Sequence, residues 1–316
     1  MPLPDDPRLL ALANDVLHEF DAIFGLHAGF RPAHAKGAMF TGTFTPASGA
    51  ARLTRAPHVT RPSTPVTARF SNSTGIPVMP DNDPNARPHG LAVRFHLAEH
   101  IHTDVVSHST DGFPTHTGAE FLEFLRAVAS SDPKNLAGSP LERFLGSHPA
   151  ALAFVQAPKP APVSFATETY FGVTAMRFTN GGGTSRFGRY RIVPQAGSAY
   201  LDDAARGAKS ASYLFDEIAS RIRKEPVRFT VLVQVAGDRD TVDDATVHWP
   251  ADRPLVELGS IELTAPVADD AAAQQRIIFD PIPRVDGIEP SADPLLELRA
   301  ALYLISGRRR RAAAKP

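Results

Sequence analysis

The sequence predicts an α+β fold: an antiparallel barrel of about eight strands with inserted and flanking α-helices. Apolar residues recur at every second position in eight or nine short runs, enough strands to close a barrel. Helical periodicity falls between and around those runs without strict strand-helix alternation, which separates α+β from a doubly wound sheet. Neither an internal repeat nor a long linker divides the 316 residues, and 43% of them are hydrophobic, so one domain with a substantial core is expected over 1–306 and a basic tail over 307–316.

In chain order, Pro4-Asp5-Asp6-Pro7 is a helix start. Leu9, Leu10, Ala13, Val16, Leu17, Phe20 and Ile23 then keep helical spacing, predicting a helix over Pro7 to Phe24. Between Ala38 and Ser109, AMFTGTF, VTARFS, GLAVRFHL and TDVVSHS alternate like strands and are separated by Pro, Gly, Asn and Asp clusters. Helical patterns occupy GAEFLEFLRAVASS and about Leu141 to Val155, and VQAPKPAPVSFA is an extended crossing. Strands return in TYFGVTAMRFTN and GRYRIVPQ, then, after a helix expected over Tyr200 to Arg223, in VRFTVLVQVA, LGSIELT and RIIFD. DPLLELRAALYLISG closes the chain as a helix. NGGGTSRFGRYR reads as a hairpin loop, since no Gly-Lys-Ser/Thr follows its glycines.

Composition removes several functions. Lys plus Arg number 33 against 34 Asp plus Glu, a balance unsuited to a nucleic-acid partner. With no cysteine there is no disulfide, thiolate nucleophile, iron-sulfur ligation or thiolate-held haem. The N-terminus puts acidic residues before its apolar ones and lacks a basic leader pattern, so a cytoplasmic protein with no membrane span is expected.

Three clusters are chemically suggestive. His34 stands in RPAHAKG, where a buried imidazole would serve either structure or proton transfer. Arg299 and Tyr303 are four apart in a segment of strong helix formers, so both sit on one helical face. There a guanidinium would favour the phenolate, a hard anionic ligand for ferric iron; an ordinary amphipathic helix fits the same spacing. His96, His100 and His102 in HLAEHIH lack HExxH spacing and fall at a turn between strands, so a solvated loop is expected.

Taken together, RPAHAKG (31–37), ARFS (68–71), HGLAVRF (89–95) and FDPIPRVDGIEPSADPLLELRAALY (279–303) resemble the haem catalases in order and nearly in spacing. The resemblance runs from about residue 20 to residue 310 and is similar to the small catalase-related peroxidase branch. It implies a haem b cofactor, His34 as the distal acid/base, Ser71 as its orienting partner, Tyr303 as the axial iron ligand and Arg299 as the group that keeps Tyr303 ionised. It also implies Arg31 and Arg69 as propionate partners, Phe113 and Phe121 as aromatic residues over the distal face, and Asp293 as an acid behind Arg299. Arg310 reaches a third propionate position in the register of the last helix, although four consecutive arginines equally suit a solvated end.

Departures from the family pattern sharpen the expectation. His108 stands where the family has its distal asparagine, which puts catalase turnover in doubt, and Thr174 where many members have a histidine linked to the proximal arginine. Typical catalases also carry an N-terminal arm, a wrapping segment and a C-terminal helical region not matched in this sequence. The resemblance then implies an open channel and a peroxidase that uses organic hydroperoxides or hydrogen peroxide to oxidise small organic donors, with weak catalase activity, working as a homo-oligomer, a dimer before a tetramer. The other readings are a true catalase, a hydroperoxide-rearranging enzyme like allene oxide synthase, and a haem-storage protein. Ala33 counts against the second, because that branch has threonine before its distal histidine.

Overall fold

The computed structural model of the chain describes residues 3–313. Its strands are β1 (Gly37–Pro46), β2 (Thr64–Asn72), β3 (His89–Ala98), β4 (Ile101–His108), β5 (Ala161–Pro162), β6 (Tyr170–Phe171), β7 (Met176–Thr179), β8 (Ser185–Pro194), β9 (Tyr200–Leu201), β10 (Val227–Val235), β11 (Leu255–Pro266) and β12 (Ile288–Pro290). The helices are α1 (Pro7–Phe24), α2 (Pro57–Thr60), α3 (Gly118–Ala129), α4 (Pro140–Ser147), α5 (Pro149–Gln156), α6 (Asp203–Gly207), α7 (Tyr213–Lys224), α8 (Asp270–Arg276) and α9 (Leu295–Ala313). Eight strands, in the order β10-β11-β1-β2-β3-β4-β6-β8, close into an antiparallel barrel through β8–β10 pairing, and β7 and β12 extend the sheet from β8.

Alternation sets which side chains fill the barrel. On β3 the odd positions from His89 to Leu97 are buried, and Leu91, Val93 and Phe95 join Phe40, Phe44, Phe70 and Phe229 in the interior. The even positions of β3 face outward, as do Arg69 and Ser71 of β2. Against that outer face lies a second apolar cluster, in which Ala13, Val16 and Leu17 of α1 meet Leu122 and Leu125 of α3 and Leu298, Ala301 and Leu302 of α9. Local chemistry starts these helices as expected: Asp6 accepts from the Arg8 N–H ahead of α1, and Thr117 with Glu120 forms a capping box on α3.

Several expected elements differ. RIIFD ends α8 and then runs as coil, because its carbonyls are taken by arginine side chains instead of a neighbouring strand: Ile277 accepts from Arg31 and Arg310, and Ile278 from Arg94. The helix expected over Leu141 to Val155 breaks at His148, since Pro149 disfavours helical geometry in the residue before it. Tyr200 to Arg223 divides into β9, α6 and α7; Tyr200 and Leu201 pair with β5, and α7 starts where Asp81, distant in sequence, accepts from the Leu214 N–H. TYFGVTAMRFTN is two short strands, β6 and β7, with the coil from Gly172 to Ala175 between them. HLAEHIH turns at Glu99-His100, and no group of three metal-ligating side chains occurs among the described residues. The expected boundary between 306 and 307 falls inside α9, while 314–316 of the expected tail lie outside the described residues. No helix is long and apolar enough to cross a membrane among the described residues.

Candidate active site

Barrel register builds one wall of a cavity of about 310 Å³. Ser71, Gly90 and His108 are paired neighbours across β2, β3 and β4, and Arg69, Ala92 and Val106 form the next row. All six line the cavity. The small central residues keep this wall flat, and a methyl on Gly90 would stand 2.6 Å from Ser71 Oγ and 2.8 Å from His34 Nδ1.

His34 hangs over that glycine from the segment before β1. Its backbone is left-handed (φ 56°), an uncommon and costly conformation for a non-glycine residue. The N–H of His34 donates to the Ser73 carbonyl at 3.0 Å, and its Nδ1 lies 3.0 Å from Ser71 Oγ. Burial, then the positive charges of Arg69 and its neighbours, push its pKa down to about 3, so the ring is neutral at pH 7. His108 is pushed to about 4, mainly by burial and then by Arg299. Phe113 and Phe121 close this side of the cavity, 5.0 Å apart between ring centroids.

The opposite wall is α9. Arg299, Tyr303, Ser306 and Arg310 follow one helical face, and all four line the cavity. The Arg299 guanidinium carbon lies 5.8 Å from the Tyr303 ring centroid. Thr174 Oγ1, at 3.5 Å, is the hydrogen-bond partner of Arg299, and no carboxylate pairs with Arg299 among the described residues. Asp293, the acid expected behind Arg299, feels the Arg299 charge without pairing with it and accepts from the Leu295 N–H at the start of α9. Its other oxygen is buried without a partner, and burial raises its pKa to about 6.

At one end of the cavity three arginines converge, Arg69 and Arg310 buried and Arg31 half-buried. Arg69 donates to Gln274 Oε1 and to the carbonyls of His34 and Ala35; Arg310, 3% exposed, donates to Ser306 Oγ and the Ile277 carbonyl; Arg31 donates to the same carbonyl. None has a carboxylate within salt-bridge distance among the described residues. Burial, then their mutual repulsion, holds Arg31 well below its ordinary pKa and Arg69 at about 9. Arg310 Nε has no partner. Holding three like charges together without a carboxylate, two of them buried, is costly, so the cluster suits an anionic ligand. An apolar cavity with cations at one end, a phenol on one wall and an imidazole on the other fits a large, mainly apolar ligand that carries carboxylates, as a haem does.

The phase of α9 turns Arg310 inward, while Arg308 is exposed, Arg309 pairs with Asp21, and Arg311 donates to the Arg276 carbonyl. Sequence reading missed Gly90 and the Asp270–Gln274–Arg69 chain, in which Gln274 donates to Asp270 at 2.8 Å and accepts from Arg69 at 2.8 Å. Asp270 and Gln274 are an i, i+4 pair, a local signal available in the sequence, but their role depends on the fold bringing Arg69 beside them.

Comparison with known proteins agrees with this geometry. A family model described as Catalase matches residues 28–314. The chain is 35% identical over 286 residues to a catalase-related peroxidase of Mycolicibacterium paratuberculosis, covering 89% of each chain. It is 32% identical over 300 residues to a catalase-related peroxidase of Synechococcus elongatus, covering 93% of this chain and 87% of the relative. Catalase A of Saccharomyces cerevisiae has the same fold, with a TM-score of 0.78 and 23% identity over 90% of this chain, and this chain spans 62% of that longer one. The cavity between the barrel wall and the last helix, and the match over almost the whole chain, show that this protein belongs to the catalase family.

Proposed function

We propose that the chain is a haem-dependent peroxidase that reduces organic hydroperoxides or hydrogen peroxide and oxidises a small organic donor, with weak catalase activity. The observation that carries this reading is the pairing of opposed groups across one cavity: neutral His34 on the barrel side, and Tyr303 with its neighbouring guanidinium on α9. In this reading Tyr303 binds the iron, Arg299 stands beside its ring, and Arg31, Arg69 and Arg310 hold the propionates. Phe113 and Phe121 cover the distal side. Haem b, a dimeric assembly and a cytoplasmic location complete it.

A haem held by Tyr303 and the three arginines would supply the electrons for peroxide cleavage. His34 takes the proton from one peroxide oxygen and returns it to the other. Its lowered pKa keeps the imidazole free to accept at neutral pH, and Ser71 holds the ring toward the substrate. Water must be limited around this transfer, and the apolar side chains Val106, Phe113, Phe121 and Leu302 line the space. His108 stands where the resemblance places a distal asparagine, and a neutral imidazole has at most one donor, which in this reading disfavours the oxygen-releasing half of catalase turnover.

Loading the chain with one equivalent of haem, then supplying an organic hydroperoxide and a chromogenic donor, tests the proposal. Donor oxidation with little oxygen release from hydrogen peroxide is expected. Rapid oxygen release without donor oxidation would instead make the chain a small catalase, and haem uptake with neither activity would favour haem storage.

A further inference from the structure

We propose that His108 is a second catalytic residue, a fixed hydrogen-bond donor whose Nε2–H points to the bound peroxide while His34 moves the proton. The inference rests on the haem peroxidase reading. The two cavity histidines differ in what touches Nδ1. That of His34 faces a hydroxyl, Ser71 Oγ at 3.0 Å, which can accept from an Nδ1–H or donate to a bare Nδ1. Both tautomers of His34 are therefore open, as a group that accepts and returns a proton requires.

His108 Nδ1 instead accepts the Thr110 backbone N–H at 3.3 Å. A backbone amide only donates, so in the neutral ring Nδ1 stays bare and the hydrogen sits on Nε2. The residue two positions on thus locks the tautomer. Burial keeps the ring neutral, as do the nearby charges of Arg299 and Lys159. His108 lines the cavity in the same strand row as Ser71 and Gly90, the glycine over which His34 sits. One histidine is switchable and the other fixed, so the site has one proton carrier and one donor.

Two readouts separate this proposal from the reading beneath it. In the haem-free protein, nitrogen-15 NMR of the histidine rings, with His108 assigned from a His108→Asn variant, should show the Nε2–H tautomer at pH 7. In the haem-loaded protein, His108→Leu should weaken fluoride binding about tenfold, the worth of one hydrogen bond, and His108→Asn should restore most of it. An Nδ1–H tautomer, or equal fluoride affinity in the leucine variant and the unsubstituted chain, would overturn the donor role. Failure of the unsubstituted chain to take up haem would overturn the haem reading itself, and the donor role with it.

Discussion

The two walls of the cavity are built by different means. The α9 wall is one helix, and its four polar positions, Arg299, Tyr303, Ser306 and Arg310, face the cavity because three- and four-residue steps return to one side of a helix. The barrel wall gathers His34, Arg69, Ser71, Gly90 and His108 from four separate segments, the last four aligned by strand register and His34 held over them by its hydrogen bonds to Ser73 and Ser71. In the proposed division the helix supplies the iron ligand and one propionate partner, while the barrel side supplies the groups that handle the proton, with Arg69 as a further propionate partner. A wall made from one helix tolerates changes elsewhere; a wall made by register depends on small residues where strands and side chains approach.

Variants can break that division. Tyr303→Phe should reduce haem affinity by more than the ~10²-fold that a metal site loses with an outer partner, measured by titration of the Soret band. An unchanged affinity would remove Tyr303 as the ligand. Arg310→Met should cost roughly tenfold in haem affinity, since it deletes a charge-assisted hydrogen bond, with little effect on reaction rate per bound haem; an unchanged affinity would make Arg310 structural. Gly90→Ala should do the reverse, keeping haem affinity and slowing hydroperoxide reaction about tenfold or more by displacing His34. Equal loss of binding and rate in this variant would mean the walls are not separable.

The smallest expected effect is on acid stability. Burial in the protein pushes the pKa values of half-buried His34, buried His58 and half-buried His108 to about 3, 4 and 4, below the ordinary 6.5. Between those values and 6.5 the unfolded chain binds protons that the folded chain refuses. Their contribution is therefore fully present above about pH 6.5 and is lost as pH falls through that window. Thermal melting of the haem-free chain should fall steadily from pH 7 to pH 4.5, and His108→Asn should flatten the slope. A melting temperature independent of pH would contradict the buried neutral rings.

The same contrast explains what the sequence revealed. Arg299 and Tyr303 were legible because a single helix joins them, but the inward turn of Arg310 needed the helix phase, since its three arginine neighbours fit the same pattern. His34 carried no local signal of its own; its place depends on Gly90 and Ser71, far away in sequence. Strand runs were readable where apolar alternation met a barrel interior. RIIFD misled because its backbone is satisfied by Arg31, Arg94 and Arg310, and the break in Tyr200 to Arg223 follows from pairing with β5 and from the distant carboxylate of Asp81 at α7.

The most direct test of the account is the rate at which the haem-loaded His34→Ala variant reacts with an organic hydroperoxide in stopped flow. A fall of ~10² to 10⁴, with haem affinity unchanged, is the predicted result and matches the usual worth of general acid/base help. Reaction at the unsubstituted rate would remove His34 from proton transfer and with it the division of labour between the two walls.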